Sequence, residues 1–124
     1  AHCTPKYPTQ AGAGGSVSVV LINLSGERRW SVELKLSGHS HGTGRSRQPM
    51  APRNWTRTEF ELTSATGELT GSETALNGER LQPSPLHDLP PLEGRPLAPD
   101  EPLVVEPQSI KFVVLDGAAA QACM

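Results

Sequence analysis

Prolines restrict the fold of this chain more than any other residue type. Seven of them fall between residues 82 and 102, and this density excludes both a helix and a central β-strand there. The whole chain has 12 glycines and 12 prolines among its 124 residues, which favours turns and extended backbone over long helices. The segment 82–102 is therefore predicted to be an extended connection over the surface of a single domain.

Two segments near the start of the chain have the patterns of β-strands. Residues 16–24 are largely β-branched and apolar, as in a buried strand. Residues 30–36 alternate apolar and polar side chains, which places Trp30 on the core face of a half-buried strand. Because a short polar turn at residues 25–27 separates the two segments, they are predicted to pair as a hairpin.

Further short strands follow at spacings typical of an all-β protein. The Asn77-Gly78 dipeptide suits a type I′ turn, in which both central residues take positive φ. Together these patterns predict an all-β fold, a two-sheet antiparallel β-sandwich. The additional predicted strands cover residues 55–63, 67–70, 74–81, 103–106 and 109–115.

The ionisable residues form no catalytic motif in the sequence. Glu59 and Glu61 alternate with apolar neighbours on one strand, so both are expected to point to solvent. His39 and His41 could hold a metal only with a third ligand, and no acidic residue or cysteine lies close in sequence. There is no G-x-S-x-G motif and no glycine-rich nucleotide loop after a strand. We therefore predict no catalytic residue, no metal and no cofactor.

The charge of the chain restricts its partners. The net charge of -2 gives no reason to expect nucleic acid as a partner, and no apolar run approaches the ~18 residues of a membrane span. The loop 37–57 is locally basic, and Arg45, Arg47, Arg53 and Trp55 are candidate contacts to an acidic polysaccharide. The alternative is a solvated insertion with ordinary surface charges.

Two cysteines, Cys3 and Cys123, lie almost at the two ends of the chain. They could be buried free thiols, or a disulfide closing a loop of about 120 residues, which stabilises by roughly 4–5 kcal/mol in the chain-entropy model. A disulfide implies an oxidising compartment, hence a secreted, extracellular, vacuolar or lysosomal location. In such a location Asn23 and Asn54, each the first residue of an N-x-[ST] sequon, are glycosylation candidates, and Asn23 is expected to be accessible at its turn.

The order of short motifs along the chain resembles the C-terminal domain of heparanase and the plant heparanase-like proteins, glycoside hydrolase family 79. The matching elements span nearly the whole chain. They are His2-Cys3-Thr4, the strand 19–25 with its Ile-Asn-Leu sequence, Phe60–Thr63 with Gly67–Leu69, Ala75–Gly78, the proline stretches 89–92 and 95–97, residues 107–115, and Ala122-Cys123.

This resemblance implies properties that the residues alone do not show. Enzymes of the family are retaining β-glucuronidases that join a (β/α)8 barrel, which carries both catalytic glutamates, to a β-sandwich. Residues 1–124 would be that sandwich, excised from a longer chain, with a disulfide between Cys3 and Cys123 and the upstream barrel as its partner. Its role would be non-catalytic support of folding, secretion and activity. The segment 37–53 departs from the family pattern.

Two alternatives of different classes remain open. A carbohydrate-binding module would bind acidic glycans through the loop 37–57. A free-standing adhesion or structural sandwich would need no catalytic partner.

Overall fold

The computed structural model describes residues 2–4, 16–35, 55–85 and 88–118, the first of these ranges by its backbone alone. Within them the regular structure is entirely β-strand, and no helix occurs. The predicted all-β class is therefore confirmed. The strands are β1 (His2–Thr4), β2 (Ser16–Asn23), β3 (Trp30–Val32), β4 (Thr56–Ser64), β5 (Thr74–Leu76), β6 (Glu79–Arg80), β7 (Arg95–Leu97), β8 (Leu103–Val105) and β9 (Ser109–Asp116).

The strands form two antiparallel sheets, as the sequence predicts. The main sheet has seven strands in the order β1-β2-β9-β4-β5-β6, with β7 also paired to β4. Its long central strands are β2, β9 and β4. Among the described residues the second sheet consists of β3 and β8, and it lies over one face of the main sheet.

The predicted hairpin between the first two strong strands is wrong. β2 pairs with β1 and β9 in the main sheet, whereas β3 pairs with β8 in the second sheet. Residues 24–29 therefore carry the chain from one sheet to the other. This crossing is held at its start by Asn23, whose side-chain amide donates a hydrogen bond to the carbonyl of Arg28.

The turn at Asn77-Gly78 and the proline-rich segment have the backbone conformations that the sequence predicts. Asn77 and Gly78 have φ values of 51° and 86°, so the turn between β5 and β6 has the two positive φ angles expected. The proline-rich segment is mostly irregular, but Pro96 lies in the short strand β7, opposite Thr58 of β4. Proline is tolerated there because β7 is an edge strand.

The hydrophobic core lies between the two sheets. Trp55 and Val32 pack against this core, but Trp30 has 54% of its surface exposed. The prediction that Trp30 is a core residue is therefore wrong, although Val105, which lies directly opposite it on β8, is buried. The buried members of the core are Val17, Leu103, Val113, Leu115 and Ala118.

In the described part of the chain no helix is long and apolar enough to cross a membrane.

Candidate functional site: an inter-sheet ion cluster and an outer apolar face

The central strands of the main sheet direct their charged side chains inward. Arg57, Glu59 and Glu61 alternate along β4, and Lys111 lies opposite Glu61 on β9. Glu59 is only 1% exposed. The expectation that Glu59 and Glu61 point to solvent is therefore wrong: both lie on the face of β4 that the second sheet covers.

These four side chains form a connected ion cluster. The Lys111 Nζ atom lies 2.9 Å from Glu59 Oε2 and 3.3 Å from Glu61 Oε1, and it also donates to the carbonyl of Val104. Arg57 Nε lies 3.1 Å from Glu59 Oε1, and Arg57 Nη1 donates to the carbonyl of Glu101 at 2.8 Å. The cluster thus ties the main sheet to β8 and to the segment before it.

One part of the cluster is poorly satisfied. The Arg57–Glu59 contact is close enough for an ion pair but misaligned for a hydrogen bond. Arg57 Nε, Arg57 Nη2 and Glu59 Oε1 are consequently buried with no hydrogen bond to the described residues. Such a cluster costs desolvation energy, and removing one partner leaves an uncompensated buried charge. Each charged side chain of the cluster is therefore expected to need its partners to remain buried in its position.

A cavity of about 340 Å³ lies beside the ion cluster. Charged side chains dominate its wall, unlike the mainly apolar lining with a few polar groups that is typical of small-molecule sites. Within the described residues no group of three potential metal ligands occurs either. The side chains of the ion cluster are engaged with one another and with the backbone carbonyls of Glu101 and Val104. The charged residues of the wall are Glu59, Glu61, Arg95, Glu101, Glu106 and Lys111.

The opposite face of the same three strands is apolar, and part of it is open to solvent. Val20, Phe112 and Phe60 lie directly opposite one another across the three strands. Ile22, Ile110 and Leu62 form the next row along the strands. Because directly opposed side chains touch, the two rows make one contiguous surface, which we call the outer apolar face.

The side chains of the outer apolar face are more exposed than those of the hydrophobic core. Ile22 is 62% exposed and Val20 is 48% exposed. Among the outward positions of β2, β4 and β9 the one charged residue is Asp116, and it accepts a hydrogen bond from Ser16. The inner face of the main sheet thus combines a hydrophobic core with buried charges, while its outer face carries exposed apolar rows in place of the charged residues of a solvated face.

The structure changes the interpretation of one predicted glycosylation site. Asn23 is 5% exposed, and its Nδ2 atom donates to the carbonyls of Arg28, Val105 and Glu106 at 2.6, 3.3 and 3.0 Å. Its Oδ1 atom accepts from the backbone N–H of Ser25. The expectation that Asn23 is accessible is therefore wrong, because this side chain joins the end of β2 to β8. Use of either sequon stays a prediction.

Most of the other predicted site residues lie outside the described part of the chain. Trp55 is half-buried and packs against the core, and its role as a glycan contact stays a prediction. The proposed binding of acidic glycans by the loop 37–57 stays a prediction, as does the disulfide, because the backbone of Cys3 is described but its side chain is not. Arg45, Arg47, Arg53, Asn54 and Cys123 lie outside the described residues.

The ion cluster did have a signal in the sequence. Lys111 lies two residues before Val113 in a largely apolar strand. If Val113 is a core residue, period two places Lys111 on the same covered face. A lysine on a core face requires a carboxylate partner, and the alternating glutamates of β4 supply it.

Fold and site together define a class: an all-β, two-sheet antiparallel domain with a buried ion cluster and an apolar outer face. Comparison with known proteins is more specific. Over 99% of its length the chain is 30% identical to heparanase-like protein 1 of Arabidopsis thaliana. Over 54% of its length it is 37% identical to heparanase-like protein 3 of the same plant. The chain is therefore a relative of the heparanase-like proteins.

The relatives are much longer than this chain. The matched region spans 24% of heparanase-like protein 1 and 12% of heparanase-like protein 3. No model of a known protein family matches the chain.

Proposed function

We propose that this chain is the accessory β-sandwich domain of a heparanase-like glycoside hydrolase, a retaining β-glucuronidase. In this proposal the domain has no catalytic role of its own. It supports the folding, secretion and activity of a (β/α)8 barrel that lies upstream in the longer protein and carries both catalytic glutamates. Relatives about four times as long as this chain are consistent with such an arrangement.

The ion pairing and burial of Glu59 and Glu61 support the proposal that this domain has no catalytic role of its own. Glycoside hydrolysis of this type requires two carboxyl groups flanking a bound sugar. Both carboxylates contact the same ammonium group, that of Lys111, and Glu59 is buried between the sheets. Both glutamates line the cavity between the sheets, but their carboxylates are held by Lys111 and Arg57 rather than free to flank a sugar.

A disulfide between Cys3 and Cys123 belongs to the same proposal, and the backbone geometry supports it. Cys3 lies opposite Val17, and Val17 lies opposite Leu115 on its other side. Cys123 follows Leu115 by eight residues, which can easily span two inter-strand spacings of about 4.8 Å each. The location that follows from a disulfide is secreted, extracellular, vacuolar or lysosomal.

The experiment compares three proteins: the longer protein, the longer protein without these 124 residues, and the 124-residue chain alone. Secreted yield and hydrolysis of a glucuronide substrate are measured for each. We expect the truncated protein to lose both yield and activity, and the isolated chain to hydrolyse nothing. Turnover by the pure chain, or full yield and activity of the truncated protein, would overturn the proposal.

A further inference from the structure

We propose that the outer apolar face is the surface on which the remainder of the same longer protein docks. This inference rests on the proposed function and adds which side of the sandwich meets the partner. The surface consists of two rows of three residues on the central strands of the main sheet. These residues are Val20, Phe112, Phe60, Ile22, Ile110 and Leu62.

The distribution of charge identifies this face as a covered one. A sheet that packs on one side and meets water on the other has apolar side chains inward and charged ones outward. Here Arg57, Glu59 and Lys111 are buried between the sheets, while Ile22 and Val20 are largely exposed on the other side. Contiguous exposed apolar surfaces of this kind mark interaction sites.

The chemistry of the face restricts its partner. Apart from Asp116, which is bonded to Ser16, the outward positions of the three strands have no charge to pair with a charged partner. The next outward row along the strands consists of Ser18, Val114 and Thr58, which lie directly opposite one another. The complementary surface is therefore apolar and uncharged, as in the centre of a permanent interface.

The rest of the longer protein is the occupant that the size comparison favours. This chain corresponds to 24% of heparanase-like protein 1, so about three quarters of such a protein lies outside it. A partner in the same polypeptide is present at high effective concentration, and interfaces between domains of one chain bury on the order of 600–1,500 Å². The proline-rich segment borders the face, since Gly94 lies against the ring of Phe60.

The test measures the accessibility of the face in the intact longer protein. A cysteine is introduced by Ile22→Cys, and its rate of reaction with a bulky maleimide is compared with that of Ser31→Cys. Ser31 is exposed on the outer side of the second sheet, which makes it the matched control. The wild-type protein gives the background from Cys3 and Cys123. Val20→Cys repeats the test on the same strand if Ile22→Cys lowers the yield.

We expect the cysteine at position 22 to react at least ~10-fold more slowly in the intact, monomeric longer protein than in the isolated 124-residue chain. The cysteine at position 31 should react equally fast in both. Equal reactivity at position 22 in both proteins would overturn the docking face. Protection already present in the isolated monomer would assign the covering segment to this chain itself, and protection found only in a dimer would assign it to a second copy. Both of these outcomes would overturn the proposal.

Different results would contradict the accessory role and the docking face. The accessory role fails if deletion of the 124 residues leaves yield and activity unchanged. If that deletion is harmful but position 22 stays reactive in the intact protein, the accessory role stands and only the docking face is wrong.

Discussion

Lys111 and Glu59 meet between the two sheets, with the ammonium nitrogen 2.9 Å from a carboxylate oxygen and both side chains at most 3% exposed. The residues lie on neighbouring central strands, and Lys111 also contacts Glu61. We expect Lys111→Met to destabilise the chain by about 3–5 kcal/mol, because it leaves carboxylates buried without their main cation. Urea denaturation followed by circular dichroism would measure this loss.

A second lysine–glutamate pair provides the matched control. Lys35 and Glu33 are 3.3 Å apart, but both side chains are more than three quarters exposed. Lys35→Met should change the free energy of unfolding by no more than about 0.5 kcal/mol, because water and salt screen such pairs. Equal effects of the two substitutions would contradict the burial of Lys111.

Most of the strand content could be predicted from the sequence because it depends on local patterns. The predicted strand at 67–70 is wrong, because Gly67 has a positive φ and the segment forms a turn closed by Gly71 and Glu68. The apolar run of β9 and the Asn77-Gly78 turn both need only neighbouring residues to specify them. The all-β class and the two antiparallel sheets follow from such signals. The pairing of β2 with β9 does not, because it joins residues far apart in sequence, such as Val17 and Leu115, which are 98 positions apart.

Which of the two faces of β4 is buried could not be predicted from the sequence of β4 alone. Period two shows that Glu59 and Glu61 share one face and that Phe60 and Leu62 share the other, but it does not show which face is covered. Burial of the glutamates depends on Lys111, a distant residue on another strand. The same limit applies to Trp30, which shares a face with the buried Val105 as the pattern predicts but is 54% exposed.

The amide of Asn23 is expected to be structural rather than modified. Asn23→Asp keeps the shape of the side chain but removes its donors and places a carboxylate against three backbone carbonyls. We expect a loss of roughly 2–3 kcal/mol in the free energy of unfolding. Leu24→Ala is the control, because the side chain of Leu24 is exposed and its replacement leaves the sequon intact.

The burial of Asn23 also predicts that this residue carries no glycan. In protein made by a secretory host, peptide mass spectrometry should find Asn23 without a glycan in the folded product, because its side-chain nitrogen is engaged with the carbonyls of Arg28, Val105 and Glu106. Full glycan occupancy at Asn23 in a folded chain would show that the crossing between the sheets differs from the one described.

Gly94 is expected to tolerate no side chain. A Cβ atom at this position would lie 2.3 Å from a methyl carbon of Thr58 and 2.5 Å from the ring of Phe60. Gly94→Ala should therefore cost about 1–3 kcal/mol through overpacking and displace the proline-rich segment from β4. At Gly26 an added Cβ would meet only Gln108, at 3.5 Å, so Gly26→Ala should be close to neutral. Thermal unfolding of the two variants would compare them, and an equally small effect at both positions would contradict the close packing of Gly94.

The terminal disulfide can be tested without the rest of the longer protein. We expect no thiol to react with a colorimetric reagent in the denatured, unreduced chain, and two to react after reduction, one from Cys3 and one from Cys123. In the chain-entropy model, reduction should lower the free energy of unfolding by roughly 4–5 kcal/mol, because the closed loop contains about 120 residues. A Cys3→Ser, Cys123→Ser double variant should have the stability of the reduced chain and should not change on adding reductant. Two reactive thiols in the denatured, unreduced chain would show that the ends of the chain are not covalently joined.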